Sequence, residues 1–252
     1  MSTPRNAGAD RVRPAFYALA PGGWRDYVTL LHPPYTLWHL SYVALGAGLA
    51  PRVSPDRLGW TLAAFALAMG IGAHALDELQ GRPLATRIPR RVLLTLAASS
   101  VAGATAIGAL AAVWWTPWLL AFVAFGVAIV PAYNLELAGG RFHNAFWFGF
   151  AWGAFPVLTG YFAAAETIRA DAALAAAFAG LLSWAQRVLS TPVRTVRRRV
   201  LAVTGQVEYA DGTREPVGPR LLSGAPEAAL RILSAATVLL AVAVLVMRWA
   251  GA

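Results

Sequence analysis

His74, Asp77 and Glu78 lie three and four residues apart in the segment Gly72-Ala-His-Ala-Leu-Asp-Glu-Leu-Gln-Gly-Arg-Pro-Leu-Ala-Thr-Arg-Ile-Pro89. On a helix that spacing puts one imidazole and two carboxylates on adjoining parts of one face. Such a trio can hold a divalent cation, and Arg82 and Arg87 follow closely enough to receive phosphate oxygens. The same residues also suit an interfacial cap, in which the carboxylates pair with Arg82, Arg87, Arg90 or Arg91 where a helix meets water, and spacing alone favours the cap. A second constellation is Tyr133-Asn-Leu-Glu-Leu-Ala-Gly-Gly-Arg-Phe-His-Asn144. It gathers Asn134, Glu136, Arg141, His143 and Asn144 in one short turn that Gly139 and Gly140 allow to reverse tightly. Taken by itself, the segment favours an ordinary polar turn between helices. His39 falls inside an apolar run beside Trp38, where a titratable ring must line the interior, and a packing role bonded to a neighbouring helix is expected.

The elements that position these groups follow from composition. Of 252 residues 58% are hydrophobic and only 13% charged, with a mean hydropathy of +0.55. Soluble chains carry about a quarter charged residues, so the exterior must be covered by lipid and not by water. The absence of cysteine excludes disulfides, thiolate metal sites and a cysteine nucleophile. All 21 basic residues are arginine, for a net charge of +9. Lysine Schiff-base chemistry is thereby excluded, while the bidentate guanidinium suits anionic lipid or a diphosphate. No nucleic-acid partner is implied.

Seven apolar runs approach the length of about 20 residues that a bilayer requires. They are Pro34–Ala50, Leu58–Leu76, Val92–Trp115, Trp118–Tyr133, Ala145–Ala165, Ala172–Arg187 and Leu230–Trp249. Each is expected to be helical, because an isolated strand leaves backbone groups unpaired in lipid. The first follows a long polar, proline-bearing stretch, too late for a cleaved signal peptide. With the N-terminus inside, every arginine except Arg52, Arg57, Arg169 and Arg248 falls on the cytoplasmic side. The expected fold is therefore all-α, a polytopic bundle of about seven spans, multi-pass in a prokaryotic plasma membrane. Residues 1–33 form a cytoplasmic segment with an interfacial helix over Trp24–His32, and 34–187 the transmembrane core. A basic cytoplasmic segment, 188–229, contains a hairpin around Asp211-Gly212, and 230–252 supply the last span. Trp114, Trp115 and Trp118 read as an interfacial belt. Trp147, Trp152 and Phe155 belong to an aromatic-rich helix, Phe142–Phe162, suited either to packing or to shielding a carbocation.

The two loops together resemble the UbiA superfamily of intramembrane prenyltransferases and terpene cyclases. The likeness runs in order through Asp77, Thr86-Arg87-Ile88-Pro89, Tyr133-Asn134, Gly139-Gly140, Phe148-Gly149 and Thr159-Gly160-Tyr161-Phe162, over about His32 to Arg187. Against the family's NxxxDxxxD motif, the asparagine position is Ala73 and the last aspartate position Gly81. Its second aspartate motif is replaced by Ser183-Trp-Ala-Gln-Arg-Val-Leu-Ser-Thr191, and its usual nine helices by seven runs. The resemblance implies an isoprenyl diphosphate bound at the cytoplasmic mouth and a prenyl group transferred to a lipid-like acceptor or cyclised. On that reading His74, Asp77 and Glu78 would hold Mg²⁺. Arg82, Arg87, Arg187 and Arg194 would contact the diphosphate, and Asn134, Glu136 and His143 would serve the acceptor or act as base. The alternative is an inactive membrane protein of the same shape, binding membrane lipids or a partner protein through the basic run Arg194–Arg199.

Overall fold

The computed structural model describes residues 13–250. A short helix, α1 (Trp24–Leu30), buries Asp26, Thr29 and Leu30 and leaves Trp24 and Tyr27 outside, as an interfacial helix should. Pro33 and Pro34 then start α2 (Pro33–Leu49) with φ already set for a helix. Ser54 caps the next helix, α3 (Pro55–Leu79), its hydroxyl accepting from the Arg57 amide. The chain continues through α4 (Arg90–Trp114), α5 (Leu119–Asn134) and α6 (Ala145–Ala165), the last capped by the Asn144 side chain. Helix α7 (Ala170–Arg199) leads to an antiparallel pair, β1 (Gln206–Glu208) and β2 (Arg214–Pro216), and α8 (Pro219–Ala250) follows. Between the strands, Asp211 Oδ1 accepts from both the amide and the hydroxyl of Thr213, and Gly212 takes φ 82°, which makes the expected hairpin turn.

Among the described residues five helices, α3, α4, α6, α7 and α8, are long and apolar enough to cross a bilayer, and the protein is a multi-pass membrane bundle. The remaining two expected runs form helices of 17 and 16 residues, α2 and α5. Helix α2 is the axis of the bundle: Trp38, Tyr42 and Val43 are fully buried between α6, α7 and α8. The Trp38 indole donates to the Tyr42 hydroxyl at 2.6 Å, and Ser183 of α7 donates to the same oxygen at 3.3 Å.

Two boundaries differ from expectation. The basic run Arg194–Arg199 is not part of a separate segment but the end of α7, and α8 begins eleven residues before the expected Leu230. Hydropathy locates where a helix leaves hydrocarbon, not where it stops, and arginine both propagates a helix and complements the carbonyls of its last turn. At the opposite end of the bundle, Arg57 donates to the Ala163 carbonyl and pairs with Glu166 at 2.8 Å. There too Arg248 donates to the carbonyls of Ala50 and Pro51.

Helices α2 and α6 touch backbone to backbone. A Cβ on Gly46 would collide with the Val157 carbonyl, and one on Gly160 with the Val43 carbonyl. Gly46→Ala and Gly160→Ala should each destabilise the bundle by about 1–3 kcal/mol, as overpacked cores do. Gly126→Ala, where a Cβ meets nothing within 4 Å, should be neutral or slightly stabilising. Thermal unfolding of the detergent-solubilised protein measures the difference.

Candidate functional site

All four histidines of the chain line one cavity of about 910 Å³ at the arginine-rich end of the bundle. His32 and His39 come from the start of α2, His74 and Asp77 from the end of α3, Tyr133 and Asn134 from the end of α5. His143 precedes α6, and Arg187, Arg194 and Arg198 project from the last turns of α7. Residues 14–17 lie along another side. They are pinned by Arg197, which donates to the Arg13 carbonyl, and by Arg198, which donates to that of Pro14.

Two π-helical segments aim the imidazoles. In α3 the segment Ala66–Ala73 presents the Gly70 carbonyl to His74 Nδ1 at 3.1 Å. In α6 the segment Phe150–Ala154 presents the Trp152 carbonyl to His39 Nδ1 at 2.8 Å. His143 Nδ1 meets the Tyr133 carbonyl at 3.0 Å. A carbonyl only accepts, so in each contact Nδ1 carries the proton and Nε2 keeps its lone pair for the cavity. His32 stacks on His74 with centroids 4.0 Å apart. His32 Nε2 and Gln186 Oε1 are buried and without a hydrogen-bond partner among the described residues, and both side chains line this cavity. Buried polar atoms are normally satisfied, so these two are exceptions among the described residues.

Gln186, Arg187, Ser190, Arg194 and Arg198 form one stripe of α7, spaced so that successive turns face the cavity. Arg187 donates to the Tyr133 hydroxyl and Arg194 to that of Thr191. Neither they nor Arg198 belongs to an ion pair among the described residues, whereas Arg197 and Arg231 both bind Glu227 at 2.6 Å.

Of the expected site residues, His74, Asp77, Asn134, His143, Arg187 and Arg194 are brought together. Glu78 is not. Its carboxylate is fully buried beneath the α3–α4 loop, accepting from the amides of Leu84 and Thr86 and from the Thr86 hydroxyl at 2.8–2.9 Å. Arg82 is likewise structural, donating to the carbonyls of Thr86 and Ile88. Arg87 contributes its backbone, the amide donating to buried Asp26 at 2.9 Å while the side chain is exposed. Glu136 is exposed in a left-handed turn at φ 51°. Helical spacing put Glu78 near His74 and Asp77, but it could not foresee that the loop would fold over that carboxylate. Sequence reasoning also missed Arg198 and His32. The spacing of Arg187, Arg194 and Arg198 would have shown the stripe had α7 been extended past Arg187.

Mg²⁺ prefers about six oxygen ligands in octahedral array. Among the described residues Asp77 is the one carboxylate lining the cavity, the other potential ligands include four imidazoles, and no three histidine, aspartate or glutamate side chains cluster as a metal-holding group. The residues present do not fit that ion.

A second cavity of about 900 Å³ lies among α3, α4, α5 and α6, with Phe65, Met69, Phe122, Val127 and Phe155 in its walls. Its polar side chains are quenched: Thr61, Thr105 and Thr159 each donate to a carbonyl of their own helix at 2.7–2.8 Å. Trp152 lines both cavities.

Glu78→Ala, which leaves buried donors unpaired, should cost about 3 kcal/mol of stability, while Glu136→Ala should change it by less than about 0.5 kcal/mol. Paired thermal melts check this. Burial, reinforced by the adjacent His74 imidazole and by Arg194 and Arg198, holds His32 well below the ordinary histidine range. Below about pH 6.5 the unfolded chain gains a proton that the native site refuses, so stability falls on acidification. His32→Asn cannot titrate and tolerates the left-handed backbone there (φ 46°). It should flatten the decline of Tm between about pH 7 and 5.5, and an unchanged decline would assign it to other groups.

Comparison with protein-family models, with characterised proteins and with solved structures gives no match.

Proposed function

We propose that the chain is a divergent UbiA-like prenyltransferase that spans the membrane seven times, α2 and α5 included, with its N-terminus and arginine-rich end in the cytoplasm. One observation carries the reading. A cavity bearing guanidinium and imidazole groups adjoins an apolar cavity of similar volume, with Trp152 lining both. That pairing matches an amphiphile with an anionic head and a hydrocarbon tail. An isoprenyl diphosphate places its head near Arg187 and Arg194 and its tail among α3, α4, α5 and α6.

Ionisation breaks the allylic C–O bond, and the electron pair leaves on the diphosphate oxygen, where fixed guanidinium groups stabilise the growing charge. Trp152 and Phe148 both line the polar cavity, and an aromatic ring there shields the allylic cation. The cationic carbon bonds to a nucleophilic acceptor, whose proton passes to an Nε2 lone pair of His39, His74 or His143. Asn134 anchors its amide to the Val130 carbonyl at 2.7 Å and offers its oxygen to the acceptor. The alternative of a lipid-docking basic face has less support, because Arg197 is engaged by Glu227 and by the Arg13 carbonyl while Arg194 and Arg198 line the cavity.

Gly126 lines the apolar cavity and a Cβ there meets open space. Gly126→Phe should fill the tail site without disturbing the fold. Product formation from farnesyl diphosphate in membranes should fall by about tenfold or more, at the cost of excluding a few methylenes, with Tm preserved. Undiminished turnover would show that no tail enters there.

A further inference from the structure

Resting on the proposed diphosphate reading of the polar cavity, we infer that the head group is held by guanidinium groups directly, with no divalent cation between phosphate and protein. Arg187, Arg194 and Arg198 face the cavity from a single stripe of α7. Four other arginines have a carboxylate partner, since Arg57 has Glu166, Arg197 and Arg231 share Glu227, and Arg214 has Glu208, while Arg82 and Arg248 are taken up by main-chain carbonyls. The three in the cavity have no carboxylate partner among the described residues. Arg187 and Arg198 are partly buried, where a cation without a counter-charge is costly, and a ligand carrying two or three negative charges relieves that cost.

The balance of fixed charge points the same way. Three guanidinium groups face one carboxylate, Asp77, which makes neither a hydrogen bond nor an ion pair among the described residues. A dication drawn to Asp77 meets three like charges within the same walls, whereas a phosphate ester meets three opposite ones. The other carboxylate that sequence spacing assigns to a metal, Glu78, has its oxygens committed to the α3–α4 loop. Guanidinium forks match phosphate oxygens bidentately, so geometry as well as charge favours direct contact.

Asp77 gives the inference a sign. As a metal ligand its neutralisation weakens binding of the anion. As a lone carboxylate opposite three arginines, its neutralisation removes repulsion and leaves binding equal or tighter. The experiment is isothermal titration of the full chain in nanodiscs with two probes, inorganic pyrophosphate and farnesyl thiolodiphosphate, in EDTA and again in Mg²⁺. The inference expects both probes to bind in EDTA and Mg²⁺ to change the affinity by less than about threefold. Asp77→Asn should bind at least as tightly as wild type. Arg194→Gln, at an exposed position whose loss the fold tolerates, should weaken binding by about ten- to a hundredfold, one charge-assisted contact. Binding that needs Mg²⁺ and disappears in Asp77→Asn overturns the inference while keeping the diphosphate reading. Pyrophosphate bound in EDTA without the farnesyl probe keeps the charge chemistry and removes the tail reading. Binding of neither probe under either condition overturns both.

Discussion

Three histidine–carbonyl contacts, two of them to π-helical segments, determine which way the site faces. Where α3 and α6 widen, the carbonyls of Gly70 and Trp152 meet the Nδ1 protons of His74 and His39. The third, from His143 to the Tyr133 carbonyl, ties the loop before α6 to the end of α5. Main-chain carbonyls are less adaptable than side chains, so these contacts fix tautomer and ring direction together. Widened turns of this kind are frequent at functional sites. Here one of them also carries Trp152, so the segment that orients His39 also supplies the wall common to the two cavities.

Charge is sorted around that frame by what each carboxylate already holds. Glu78 and Asp26 are buried and saturated by backbone amides, which fastens the α3–α4 loop to α1 and to the end of α3. Glu227 joins α8 to the end of α7 through Arg197. Among the described residues Asp77 is the one acid that lines the cavity, together with the arginine stripe of α7. The loop carboxylates therefore build the rim, and the arginines and imidazoles give it its chemistry.

Much of the fold was legible in the sequence. Apolar runs located the helices, and Ala145–Ala165 coincides with its helix end to end. Pro33, Pro34, Ser54 and Asn144 mark starts by local chemistry that needs no tertiary context. What escaped was decided by contacts distant in the chain. The end of α7 lies beyond hydrocarbon, so hydropathy stopped too early and hid Arg198 from the stripe begun by Arg187. For His39 the sequence suggests a packing role, bonded to a neighbouring helix. It is bonded as expected, to the Trp152 carbonyl, yet it also opens onto the cavity. Glu78 and Arg87 stand at the spacing of ligands, but the α3–α4 loop uses the carboxylate of one and the amide of the other. No local rule separates a carboxylate that binds a ligand from one that binds its own loop.

The most direct test of an amphiphile seated across both cavities is photo-crosslinking with a farnesyl diphosphate analogue that carries a diazirine at the tail terminus, followed by peptide mapping of the labelled protein. A head anchored by α7 and a tail running past Trp152 predict labels on the cavity-facing residues of α4 and α5, such as Thr105, Gly108, Val123 and Val127, suppressed by excess unlabelled farnesyl diphosphate. Labels confined to the outer faces of α7 and α8, or unaffected by competition, would contradict it.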